Sequence, residues 1–244
     1  SKFSSISTEV AVSDNDANRF SDKGDKDDKG IGVFTKYQRE RGFGNPEKGW
    51  NLKTELNYEY VEEKFKALNP YRNAEFSRDW NVANTSDQDT AVAEQIGRGG
   101  VVLSKKNLGN IQYQFSGFLR SSIYTGTKHV VRTKIDRSGF NVDLQANYLS
   151  TDGLVEQSTF FRPKINISKT FAKLDNWKLG VYGEREKNSR YVKDADTLNL
   201  NSFYYDLYRV YLESKEGEKL TFGTNYMQRY DYAPVSSEFI QSTK

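Results

Sequence analysis

The stretch Trp50 to Phe65, WNLKTELNYEYVEEKF, constrains this chain more than any other. Trp50, Leu52, Thr54, Leu56, Tyr58 and Tyr60 take alternate positions, and Asn51, Lys53, Glu55, Asn57 and Glu59 take those between. Strand side chains alternate between two faces, so this is a long strand with one apolar and one polar side. Strands of soluble domains average about 5–6 residues, whereas a tilted strand crossing a bilayer needs roughly 9–11. An apolar face ending in aromatics is what a membrane-spanning barrel uses. The expectation is an all-β fold, an antiparallel transmembrane β-barrel, whose later strands repeat the alternation.

They do repeat it. Ile6, Thr8, Val10 and Val12 share one side of their segment, as do Ile31, Val33, Thr35 and Tyr37 of the next. Ile111, Tyr113, Phe115 and Leu119 oppose Gln112, Gln114 and Arg120. Phe140, Val142, Leu144, Ala146 and Tyr148 give the cleanest case after the first. Phe161, Ile165, Ile167 and Phe171 follow, with Pro163 breaking the ladder as an edge or bulge allows. About eleven strands result, in one unit covering residues 1–244.

Connections alternate in length across most of the chain. Residues 14–30, 65–91, 150–157 and 188–201 read as long polar loops; 42–49, 105–110, 136–139, 172–176 and 215–218 read as short turns. Outer-membrane barrels sort their loops this way, long outside and short in the periplasm. The long set is therefore expected outside the cell, with 66–91 the principal external loop.

Composition is compatible with this. Only every second barrel residue meets lipid, so low average hydropathy does not argue against a barrel. With 36 basic and 33 acidic residues, a net charge of +3 gives no argument for nucleic-acid binding, which would want a clustered basic face, and no nucleic-acid partner is expected. The absence of cysteine excludes disulfides, thiolate metal sites and cysteine nucleophiles.

The faces define the candidate residues. Lys53, Glu55, Glu59, Arg120, Asp143, Arg162 and Lys164 are expected to face the lumen. Trp50, Leu52, Leu56, Tyr58, Val142, Leu144, Ile165 and Ile167 are expected to face lipid. Mixed charge predicts a filled or narrow interior, or a water-filled one without strong ion preference. Tyr71, Arg72, Phe76, Arg78 and Trp80 make the long loop rich in aromatics and arginine, which predicts a loop packed against something and carrying a short strand of its own. Such a loop contacts partners or folds back to gate the lumen.

Six aspartates (Asp14, Asp16, Asp22, Asp25, Asp27 and Asp28) invite Ca2+ at the 14–28 loop. The EF-hand order is absent and three lysines dilute the charge, so a solvated loop is the stronger reading and no cofactor is expected. Catalytic constellations are scarce. His129 is the only histidine, and a barrel hydrolase would have to build on it with Ser121, Ser122 or Asp136. The remaining alternative is a soluble antiparallel β-protein binding glycan or protein through aromatic-rich loops. A non-enzymatic protein is expected.

The segment PYRNAEFSRDWN, with the acidic first loop and the aromatic-rich strands, resembles barrel-type outer-membrane proteins of Bacteroidota. The resemblance implies an outer-membrane location and a role as a conduit or structural subunit of a transport or export assembly. Its partners would be membrane lipid and other outer-membrane or surface proteins. It carries over no functional residue. The odd strand count, the start at Ser1 and the missing terminal aromatic lead to the expectation that this is a segment of a longer chain.

Overall fold

Period-two alternation commits a segment to a ladder, and in the computed structural model eleven strands of 11 to 16 residues lie side by side. The structure describes residues 2–14, 29–45, 49–68, 72, 75–82, 91–195, 197–214 and 221–242. The first strands are β1 (Lys2–Asp14), β2 (Lys29–Phe43) and β3 (Trp50–Val61), followed by a one-turn helix α1 (Phe76–Asp79). Next come β4 (Glu94–Lys105), β5 (Gly109–Arg120), β6 (Tyr124–Arg137), β7 (Phe140–Gly153), β8 (Glu156–Phe171) and β9 (Trp177–Val192). The chain continues through β10 (Thr197–Leu198), β11 (Phe203–Glu213), β12 (Gly223–Val235) and β13 (Glu238–Gln241). All pairs are antiparallel and follow chain order, with the short β10 attached to β9. The fold is all-β, a single antiparallel sheet. Among the described residues β1 pairs only with β2 and β13 only with β12, so the sheet is not closed into a barrel.

Register fixes two faces, because directly paired residues point the same way. One rung runs Ile6, Tyr37, Leu56, Gly99, Phe115, His129, Tyr148, Phe161. This is the apolar face, and among the described residues nothing covers it. Ile6 is 73% exposed, Leu56 51% and Tyr226 68%. The neighbouring rung on the other side runs Gln38, Glu55, Gly100, Gln114, Val130, Asn147, Arg162. That is the polar face.

The apolar band drifts across the sheet. On β2 it covers Ile31 to Tyr37, centred near Thr35, and Arg39 and Arg41 follow it. On β9 and β11 it centres on the pair Val181 and Val210. Traced through the ladders, that rung is Phe43, Trp50, Lys105, Gly109, Ile135, Val142, Ile167, Val181, Val210. From Thr35 to Phe43 is eight residues, over eight strand-to-strand steps. The band therefore moves about one residue per strand.

Three local expectations are corrected. TDGLVEQS is not a long loop: β7 runs through Gly153 and β8 starts at Glu156. Polar residues carry the ladder onward there, with the Thr151 and Ser158 hydroxyls 2.6 Å apart on the polar face. The same holds at 188–201, where β9 continues to Val192 and leaves a connection of 193–202. Strict sorting of loops by length therefore fails at 154–155, as it does at 121–123. Pro163 sits at neither an edge nor a bulge. β8 is interior, and register with β9 is the same on both sides of the gap (Phe161 with Lys187, Lys164 with Glu184). The missing N–H removes local ladder bonds, while Arg162 with Glu186 (3.2 Å) and Lys164 with Glu184 (2.8 Å) clasp the two strands at that point. At the opposite end DRSG is a two-residue hairpin, with Ser138 and Gly139 at φ +53 and +78, as the twist of paired strands favours.

Candidate functional site

The β3–β4 connection folds back over the polar face. It begins against β2, where the ring of Phe65 lies over Gly32, and the Lys66 N–H donates to Ser13 Oγ (2.9 Å). Further along, α1 and Trp80 sit on the strands themselves. Trp80, Ile96, Phe118, Tyr124 and Leu149 form a buried cluster, with Phe76, Val82, Ile123 and Phe160 packed around it. Phe118 meets Phe76 edge-on at 5.2 Å and Trp80 at 5.3 Å. Tyr124 Oη donates to the Trp80 carbonyl, and Asn81, at φ +49, donates to Ser158 Oγ (3.1 Å) and Asn188 Oδ1 (3.0 Å). The expected short strand is a helical turn instead, because its job is to present Phe76 and Trp80 side by side rather than to extend a ladder.

A charged latch adjoins this apolar anchor. Arg72 pairs with Glu59 (2.7 Å) and Glu94 (2.9 Å), and its guanidinium lies 4.4 Å over the Phe76 ring. Arg120 pairs with the other oxygen of Glu94 (2.9 Å). Carboxylates of two neighbouring strands thus hold one loop arginine, and an arginine of the third strand orients one of them. Removing one partner from such a little-exposed group leaves the other charge uncompensated, which costs several kcal/mol.

Close approach of the loop requires a glycine. A Cβ at Gly126 would lie 2.8 Å from Tyr124 Oη and 3.0 Å from Trp80 Cε3. Gly126→Ala is therefore expected to weaken loop docking by about 1–3 kcal/mol, the usual range for overpacking. Faster proteolysis within 62–93, with the strands still protected, is the check.

Ion pairs fill the polar face on the β8–β12 side. Glu184 accepts from Lys164 (2.8 Å) and Tyr205 (3.0 Å), and Glu186 accepts from Tyr205 (2.9 Å). Arg229 stacks over Tyr205 at 4.0 Å and pairs with Asp231 (2.7 Å). Tyr211 reaches across β9 above Gly180 to Asn166 on β8 (2.8 Å).

The sequence candidates fall as follows. Lys53, Glu55, Glu59, Arg120, Asp143, Arg162 and Lys164 share the polar face. Trp50, Leu52, Leu56, Tyr58, Val142, Leu144, Ile165 and Ile167 share the apolar one. Of the loop set, Arg72, Phe76 and Trp80 come together in the docked segment, while Arg78 is exposed and pairs with Glu75 (2.7 Å). Tyr71 lies outside the described residues, as do Asp16, Asp22, Asp25, Asp27 and Asp28 of the acidic loop; Asp14 ends β1. His129 is on the apolar face, its Nδ1 2.8 Å from Tyr113 Oη and its ring against Phe115. Asp136 is on the opposite face, and Ser121 and Ser122 belong to the turn before β6, so these residues are not brought together with His129. Sequence reasoning missed Glu94, Gly126, Ser158 and Asn188 as receivers of the loop, and Asn81 as the loop residue that donates to the last two.

No protein-family model matches the chain, and no curated protein or solved structure is significantly similar to it.

Proposed function

We propose that the chain forms part of a transmembrane β-barrel in a Gram-negative outer membrane of the Bacteroidota type. It acts without catalysis or cofactor, as a solute conduit or as a structural subunit of a transport or export assembly. The observation that carries this reading is the uncovered apolar band and its drift. A soluble monomer rarely exposes an apolar patch larger than a few hundred Å2, and this one extends over every long strand. Drift of one residue, about 3.3 Å, per strand spacing of about 4.8 Å gives a tilt of roughly 35°. That is the strand tilt of closed barrels, about 35–45°, and it keeps the band level in a flat bilayer. On single strands the band runs from aromatic to aromatic, Trp50 to Tyr60, Phe140 to Tyr148 and Phe161 to Phe171, each within the roughly 9–11 residues that a tilted strand needs.

On this reading the polar face lines the lumen, and the docked residues Phe65, Lys66, Arg72 and 75–82 narrow it. Unpaired strand amides cost several kcal/mol each in hydrocarbon, so the edges of β1 and β12–β13 must be covered by strand pairing. The protein is expected to stay with membranes after carbonate wash, to require detergent for extraction and to migrate differently on gels when heated. Release into buffer as a folded monomer would favour the soluble alternative and end this one.

A further inference from the structure

Most cations of the polar face are paired, and the exceptions cluster. Every lysine or arginine of the polar-face strand positions has a carboxylate within ion-pairing distance except Lys53, Arg98, Lys128 and Arg132, among the described residues. These four are corners of one patch. Arg98 and Lys128 flank Ser116 on one rung, and Lys53 and Arg132 flank Val102 and Gln112 on the rung two places along. Between them lies the rung of Glu55, Gly100, Gln114 and Val130.

At the centre is a hollow of about 290 Å3, lined by Lys53, Glu55, Arg98, Gly100, Gln112 and Gln114 among others. It exists because Gly100 brings no side chain to the polar face. A Cβ there would make only ordinary contacts, the nearest at 3.6 Å to the Tyr113 carbonyl, so packing does not demand glycine. Arg98 and Arg132 are both near enough to repel the Lys128 ammonium, which lies 3.4 Å from the Asp79 carbonyl oxygen and is drawn by the Asp79 charge. Glu55, the one acid in the hollow, is already engaged by Lys36 (3.7 Å), Gln38 (2.6 Å) and Asn57 (3.0 Å). The surplus in the patch is positive.

We propose that this hollow binds small organic polyanions bearing carboxylate or phosphate groups, held by Arg98 and Lys53 of its lining, with Arg132 at its margin beside Gln112. Guanidinium forks match such oxyanions two bonds at a time, and the Gln112 and Gln114 amides add neutral donors for hydroxyl or carbonyl oxygens. The volume is at the small end of the range for ligand sites, about 300–1,000 Å3. The inference deepens the conduit reading by naming a solute class, and rests on it for the route of that solute but not for the binding. It also revises the expectation of no ion preference, since the paired charges cancel and the unpaired ones do not.

The test is calorimetric titration of the full chain in detergent at low ionic strength, with citrate and separately with inorganic phosphate. Saturable citrate binding is expected, weakening as salt is raised, with phosphate weaker. Arg98→Gln combined with Arg132→Gln should lower citrate affinity at least tenfold, and Gly100→Leu should abolish binding with both arginines in place. Glu55→Gln should tighten it, a gain that misfolding does not produce, and Lys178→Gln, remote and paired to Glu213 (3.6 Å), should leave it unchanged. Absence of saturable citrate binding, or parental affinity in the double variant, overturns the proposal. Citrate binding by a protein that stays in buffer after membrane removal would keep the site and sink the conduit.

Discussion

Trp80→Ala is expected to release residues 75–82 of the β3–β4 connection from the sheet at a cost of about 3–5 kcal/mol, the usual range for truncating a buried aromatic. The indole is 4% exposed and packs on Phe118, which is itself fully buried only because the loop covers it. Loss of the ring uncovers Ile96, Phe118 and Leu149 on an otherwise polar face and removes the seat of Phe76. The Tyr124 bond to the Trp80 carbonyl belongs to the backbone and survives only while the loop stays docked. At about 1.4 kcal/mol per factor of ten, the loop-opening equilibrium rises by roughly two to three and a half orders of magnitude. Hydrogen exchange reads this directly: amides of 75–82 lose protection while those of β4–β8 keep theirs. If the segment narrows a lumen, unit conductance in planar bilayers rises in parallel. Unchanged protection of 75–82 would mean that the Arg72 latch, rather than the indole, holds the loop.

The alternation that revealed the strands also contained the docking site, as exceptions to it. Ile96, Phe118, Leu149 and Phe160 are apolar residues in the polar phase of their strands. Each looks like noise within one strand; only register places them under one loop at one end of the sheet. Period two is local and so was legible, and with it the two faces from Ile6 to Tyr226. Ladder ends were less legible, because polarity at 150–157 means solvent or lumen as readily as loop. The unpaired state of Arg98 and Arg132 could not be read at all. It depends on which residues lie one and two strands away, and Arg162 and Lys164 looked the same until Glu184 and Glu186 were found beside them.

Face assignment becomes an assignment of surroundings through one pair of adjacent substitutions. Leu56→Arg is expected to destabilise the protein by about 2–4 kcal/mol, the cost of a cation at the midplane of a barrel's lipid face. Leu56 is central to the Trp50–Tyr60 band, on the rung of Tyr37, Phe115 and Tyr148, with no carboxylate on that rung to receive the charge. Glu55→Gln, one residue away on the other face, keeps one acceptor oxygen for Gln38 or Asn57, and loses the other accepted bond and one long, partly exposed ion pair to Lys36, together worth about 1 kcal/mol. Folding equilibria in lipid vesicles, measured by urea titration, separate the two outcomes. The contrast carries the argument because an exposed leucine facing water has no such sensitivity: at 51% exposure, arginine there would be tolerated to within about half a kcal/mol. A large penalty at Leu56 beside a small one at Glu55 requires hydrocarbon on one side of the ribbon and water on the other. Equal tolerance at both positions would put water on both sides and remove the membrane from the account.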